Sequence, residues 1–268
     1  MQPSPIWLTE FGEGPLVACA IHNGHDLRPD VAECMQLGEN ERLYEEDPYT
    51  GDWTTIAPTR IVARRSRFEL DLNRPRDKAV YVTPADAWGL NVWKCEPAAA
   101  MVNRSLQAYD DFYDHLRHLL QRLVADHGQV VVFDIHSYNH IREGADSAAA
   151  AELENPDVNL GTGTMARAIW APVVECWLTA MRGSDYLGRR LDVRENVKFV
   201  GGHLPKWIHE NFPNSVCALA IEVKKFFMNE WTGELDPAQH QAIGQALTQA
   251  AAAVSDELER IKRGPTFT

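Results

Sequence analysis

No Cys-X-X-Cys pair occurs in this chain, and its five cysteines (Cys19, Cys34, Cys95, Cys176 and Cys217) are odd in number and far apart. That argues against a disulfide framework or a structural zinc knuckle. They read as reduced thiols, mostly packed, with Cys19 and Cys217 inside strands. No apolar run approaches the roughly 18 residues a membrane span needs. The first residues, MQPSPIWLTEFGEG, have neither the basic region nor the apolar core of a signal peptide. Positive charge is scarce as well: 26 Lys and Arg against 38 Asp and Glu leave a net charge of -12. Wrapping a nucleic acid backbone needs a concentrated basic face. The expectation is therefore an acidic cytoplasmic protein with neither nucleic acid nor membrane as a partner. Its oligomeric state is open.

What is present is a core. Hydrophobic residues make up 45% of 268, enough for one domain spanning residues 1–268. Leu16 to Ile21, Thr59 to Ala63, Val130 to Ile135 and Val216 to Val223 read as strands, with weaker candidates at Ala79 to Thr83 and Val197 to Val200. The first, third and fourth are almost continuously apolar, as in strands covered on both faces. Asn103 to His127 carries apolar residues at steps of three and four, and Gly128 ends it. A second helix is expected over Met165 to Met181, interrupted near Pro172. A third is expected over Pro237 to Lys262, capped by Asp236. Gly144 to Asp157 reads as a loop or a short helix. Strands alternating with long helices predict an α/β fold, a mixed and largely parallel central sheet with helices on both faces.

Two apolar runs end on a histidine: LVACAIH delivers His22 and VVVFDIH delivers His136. Open α/β sheets collect ligands beyond the carboxyl ends of their strands. Two imidazoles meeting there suit zinc, which in catalytic sites takes three protein ligands. The third is expected from the Glu45-Glu46-Asp47 run, three carboxylates that repel one another unless a cation sits among them. Either histidine alone is more often a hydrogen-bonded structural residue, and His25 is a second source of an imidazole. His115 and His118, with Asp111 and Asp114, fit the wet face of an amphipathic helix better than a metal site.

The segment SRFELDLNRPRD, from Ser66 to Asp77, resembles the N-formylglutamate amidohydrolase family, a distant relative of the zinc carboxypeptidases and aspartoacylases. The match continues through His22-Asn23-Gly24, VVFDIHSYN, DVNLGT (Asp157 to Thr162), GGH (Gly201 to His203) and AIEVKK (Ala220 to Lys225), in family order from about residue 16 to 230. The resemblance implies a carboxypeptidase-like α/β sandwich and one Zn2+ per chain, with another divalent ion suited to the same ligands. It implies His22 and His136 as histidine ligands. It maps the carboxylate ligand onto the acidic run, Asp47 first and Glu46 next.

The resemblance also implies a metal-dependent hydrolase that cleaves the N-acyl amide of an acidic amino acid such as N-formyl-L-glutamate. Glu222 is the expected general base. It is an acid inside an apolar strand, where an unpaired charge is costly, and its structural alternative is an ion pair with Lys224 or Arg67. Arg67, Asn73 and Arg74 are the expected clamp for the substrate carboxylate, since guanidinium groups match carboxylates with two donors. Asp71 could equally pair with Arg74 to fix a turn. Asp134 lies two residues before His136, on the same strand face, and is expected to support the metal site. His203 is a candidate for contact with substrate. Two other readings use the same residues: a carboxypeptidase or deacylase of another N-acyl amino acid, and a metal- or ligand-binding protein without catalysis.

Overall fold

In the computed structural model, which describes residues 5–263, seven strands form one sheet: β1 (Trp7–Glu10), β2 (Leu16–Ala20), β3 (Thr59–Ala63), β4 (Val130–Tyr138), β5 (Val158–Gly161), β6 (Val193–Glu195) and β7 (Val216–Lys224). Their order is β1-β3-β2-β4-β7-β5-β6. The central four, β3, β2, β4 and β7, are parallel. β1 runs antiparallel to β3, and β5 antiparallel to β7 with β6 parallel beside it. The helices are α1 (Pro29–Cys34), α2 (Glu39–Glu45), α3 (Ala99–His127), α4 (Ala171–Gly183), α5 (His203–Asn211) and α6 (Pro237–Arg263). The mixed, mostly parallel sheet predicted from the alternation of strands and helices is the one observed.

The two faces of the sheet explain why its central strands are apolar throughout. Side chains alternate in direction along a strand. Val131, Phe133 and Ile135 join the core under α4 and α6, with Cys217, Leu219 and Ile221 beside them. Val130 and Val132 join the opposite core, against Phe112 and Leu116 of α3 and Leu204 and Ile208 of α5. The same alternation continues to Asp134 and His136, which therefore share the α3–α5 face. Cys19 and Cys217 are buried in β2 and β7, and all five cysteines are free; Cys95 is exposed rather than packed. No helix among the described residues is long and apolar enough to cross a membrane.

Several boundaries differ from those the sequence predicts. Pro172 does not interrupt α4 but opens it, at the first turn, where its missing N–H has no intrahelical partner to lose. Residues 167–170 make a turn instead, with Ile169 N–H bonded to Ala166 O. Val197 to Val200 is not a strand, because Asn159 Oδ1 accepts the backbone N–H groups of Val197 and Lys198 and holds the segment as a loop. Ala79 to Thr83 is likewise no strand: Ala79 O accepts the N–H of Asp71, and Tyr81 O accepts Trp93 Nε1–H. Gly144 to Asp157 is irregular apart from one 3-10 turn at Glu152–Glu154. Asp236 caps α6, accepting the N–H groups of Ala238 and Gln239 at 3.1 Å each.

Candidate active site

β2 and β4 are parallel neighbours, and the chain leaves their carboxyl ends toward opposite edges of the sheet. Such a switch point opens a crevice. His22 follows β2 by two residues and His136 lies near the end of β4, so the geometry of the sheet brings both imidazoles to that crevice; their ring centres are 4.7 Å apart. Asp47 arrives from a third direction. Helix α2 ends at Glu45, and the next residues turn inward: Asp47 N–H bonds to His22 O at 2.9 Å, and Thr50 Oγ donates to Asp47 O at 2.6 Å.

His22, Asp47 and His136 are all buried, and their candidate ligand atoms lie within 4.8 Å of one another. Asp47 Oδ2 stands 2.9 Å from His136 Nδ1 and 3.4 Å from His22 Nδ1. The far nitrogen of each ring meets another carboxylate: Asp71 at 2.8 Å for His22 and Asp134 at 3.0 Å for His136. Asp134 is fully buried, and its second oxygen has no hydrogen-bond partner. A carboxylate behind each imidazole orients the ring and raises its basicity, as in metal-binding histidines generally. This donor set, two nitrogens and one carboxylate oxygen converging in a buried corner, fits a divalent cation.

The acidic triplet divides its labour. Glu46 is also buried but turns away, toward His25, the hydroxyl of Ser66 and Arg42. Glu45 keeps its side chain near Arg142, 3.6 Å away. Only Asp47 enters the cluster. Burial alone would raise the Asp47 carboxyl, but hydrogen bonds from His136 and His22 outweigh it and hold the group well below the usual range. Burial would likewise lower His136, yet Asp134 and Asp47 raise it well above an ordinary imidazole.

Glu222 is the register partner of His136 across β4 and β7, so its side chain shares the face that carries the cluster. It lines a cleft of about 410 Å³ together with His22, Asp47, His136, Arg67 and Asn73. No hydrogen bond to its carboxylate occurs among the described residues. Lys224, its expected ion-pair partner in the structural alternative, points to Asp157 at 3.1 Å instead. Desolvation pushes Glu222 up to about 8, against a smaller opposing pull from His136.

The DLNR segment forms the adjoining wall. Asp71, fully buried, is its hub: it accepts from Arg67 Nη2 at 2.8 Å, from the Tyr81 hydroxyl and from Asn73 N–H at 2.8 Å, besides holding His22. Arg67 faces the cleft. Arg74 lies 3.6 Å from Asp71 and is not a lining residue. Asn73 Oδ1 accepts the N–H of Leu204 at 2.9 Å. That contact explains the glycine before His203, since a Cβ on Gly202 would lie 2.4 Å from the Asn73 amide. His203 itself opens α5 with its ring edge-on to Tyr113, while Gly201 and Gly202 line the cleft in its place.

Sequence reasoning misses Lys225. It is 1% exposed, lines the cleft, and donates to Tyr44 O at 2.6 Å and Glu46 O at 2.7 Å. Desolvation pushes it down to about 8. Asn139 also donates to Tyr44 O, and Arg67 to Glu45 O. Three carbonyls at the end of α2, which have no partners inside the helix, are thus caught by side chains from three other segments. The signal for it is the second lysine of AIEVKK, a cation directly following an apolar strand.

A sheet with a cation-competent His–Asp–His corner and a facing carboxylate at the mouth of its parallel strands defines an α/β protein built for hydrolytic chemistry. The chain belongs to the N-formylglutamate amidohydrolase family, whose model matches residues 14–228; the ordered motifs from His22 to Lys225 imply as much. It is similar in fold to the N-formylglutamate amidohydrolase from Ralstonia eutropha JMP134, with a TM-score of 0.73 at 18% identity, covering 98% of this chain and 100% of that one. A gene product from Agrobacterium tumefaciens aligns with a TM-score of 0.62 at 16% identity, over 97% of both chains. No curated protein matches.

Proposed function

We propose that this chain, acting as one domain, is a metal-dependent amidohydrolase that removes the N-acyl group from an acidic amino acid, with N-formyl-L-glutamate as the reference substrate. The observation that carries the reading is the pairing of His136 with Glu222 across two adjacent strands, which sets a carboxylate of raised pKa beside the His22–Asp47–His136 corner. Those three residues would hold one zinc ion, which supplies Lewis-acid activation of water and of the amide carbonyl near neutral pH. Glu222 accepts a proton from the attacking water and passes it to the leaving amine nitrogen. Asp71 and Asp134 keep the two imidazoles turned toward Asp47. Arg67, supported by Arg74 and Asn73, binds the substrate carboxylate through guanidinium N–H groups.

The direct test is formate release from N-formyl-L-glutamate by metal-replete protein beside a chelated control. Release that depends on metal is the expected result. Absence of release from protein carrying one metal per chain, with cleavage of other N-acyl acids or of peptides, would transfer the same machinery to those substrates. A further expectation concerns Lys225. Lys225→Met removes the donor to Tyr44 O and Glu46 O and so loosens the segment that presents Asp47. Zinc affinity, measured by competition with a chromophoric chelator, should fall about 10-fold or more, the range seen when outer partners of a metal site are lost. Unchanged affinity would remove Lys225 from the support of the site.

A further inference from the structure

Trp88, one of four non-glycine residues with positive φ among the described residues, departs from its local rule inside the cleft. It follows a 3-10 turn at Pro84–Ala87 and sits in the left-handed region, φ 53° and ψ 27°. That region suits glycine, and a bulky residue there is an outlier. Glycine is in fact next in the chain, at Gly89. Trp88 is also 50% exposed although it is a large apolar side chain. Strained residues of this kind persist only where their surroundings hold them, and they gather at ligand clamps.

The surroundings are specific. Trp88 lines the same cleft as Glu222 and Arg67. Its ring lies 4.9 Å from the guanidinium carbon of Arg67 and 5.5 Å from that of Arg74. Tyr81 meets it edge-on at 5.8 Å and takes the other contact with Arg74, at 4.8 Å. The Tyr81 hydroxyl bonds to Asp71, which in turn accepts from Arg67. Each arginine is therefore held by Asp71 and by an aromatic face, and Trp88 is the face the two have in common.

We propose that Trp88 is a positioning residue: it stacks on Arg67 and on Arg74 behind it, sets the Arg67 guanidinium for a carboxylate ligand, and shields that ion pair from water at the mouth of the cleft. This rests on the reading that Arg67, supported by Arg74, binds the substrate carboxylate. An exposed cation–π contact is worth a factor of about 2 to 5 in binding, so loss of both should weaken carboxylate binding about tenfold.

The test compares Trp88→Phe, Trp88→Ala, Trp88→Gly and Arg67→Met with the unaltered protein. The measurements are glutarate binding by calorimetry, steady-state kinetics on N-formyl-L-glutamate, and thermal unfolding. The expected result has four parts. Trp88→Phe keeps near-normal glutarate affinity. Trp88→Ala and Trp88→Gly weaken it about tenfold and raise KM by a similar factor, with kcat within about twofold. Trp88→Gly unfolds at the same temperature or higher, because glycine relieves the left-handed strain. Arg67→Met loses glutarate binding. Normal affinity in Trp88→Ala and Trp88→Gly, with binding lost in Arg67→Met, would overturn the role of Trp88 and leave the clamp standing. Normal affinity in Arg67→Met, or no glutarate binding by the unaltered protein, would overturn the clamp and the proposal with it. A Trp88→Gly variant that melts earlier, beside a Trp88→Phe variant equally impaired in binding, would assign Trp88 to the turn alone.

Discussion

Glu222→Gln is expected to lower kcat for N-formyl-L-glutamate by about 10²- to 10⁴-fold, the usual contribution of a positioned proton acceptor, while the protein still binds its metal. Glutamine matches glutamate in shape but cannot take a proton from water. The same change should make the metal-free protein more stable. The Glu222 carboxyl stands at about 8 in the fold, against 4.5 for the free group, because burial disfavours its charged form. The folded state therefore holds the proton more tightly than the unfolded one. The stabilisation linked to that proton is complete below pH 4.5 and is lost as pH rises to about 8. Glutamine does not titrate, so the stability advantage of the variant should grow between those limits and then level off. Part of the group faces the cleft, so the gain is taken as a few degrees in unfolding temperature, equivalent to roughly 2 kcal/mol or less. An inactive variant whose stability advantage over the unaltered protein is no larger at pH 8 than at pH 5 would count against a desolvated carboxylate at this position. Full activity would remove Glu222 from the chemistry.

Replacing Asp47 by alanine should weaken zinc binding by at least about a hundredfold, since loss of even an outer partner of a metal site costs tenfold or more. Glu46→Ala is the informative contrast. Glu46 is as buried as Asp47, but its carboxylate serves Ser66, His25 and Arg42. Its loss should lower the unfolding temperature and leave zinc affinity within a few-fold. Binding in the unaltered protein should also depend on pH with a definite sign. His136 is raised well above an ordinary imidazole by Asp134 and Asp47, despite burial. The fold therefore favours the imidazolium form of that ring in the metal-free protein, and zinc competes with its second proton. Affinity should fall as pH falls, by about tenfold per unit for one displaced proton. Equal affinities in the Asp47 and Glu46 variants, or no change between pH 6 and 8, would place the metal elsewhere.

Much of the fold and of the site is legible in the sequence. Continuous apolar runs mark three of the four central strands, because only strands covered on both faces tolerate them. The histidines that end two of those runs point to the carboxyl edge of the sheet, and the motif order from His22 to Lys225 carries the family. Short elements at the edges are not legible. β5 and β6 have only four and three residues, too few to establish a period. The loop at Val197 to Val200 has the composition of a strand, but Asn159, some forty residues earlier in the chain, claims its N–H groups.

Composition and local pattern determined what depends on near neighbours: the α/β class, the long helices, the apolar strands and the residue types able to bind a cation. Those follow from side-chain alternation, helical spacing and the cost of burying charge, all of which act over a few residues. Only the tertiary structure decided which carboxylate of the acidic run faces the histidines, that Lys225 ties down the segment presenting it, and that Trp88 rather than His203 stands at the cleft. Glu46 and Asp47 are adjacent in the chain and chemically alike. What separates them is the partners waiting on either side, Ser66 and His25 for one, His22 and His136 for the other. Those partners are brought together by the order of the strands, at sequence separations where local pattern carries no information.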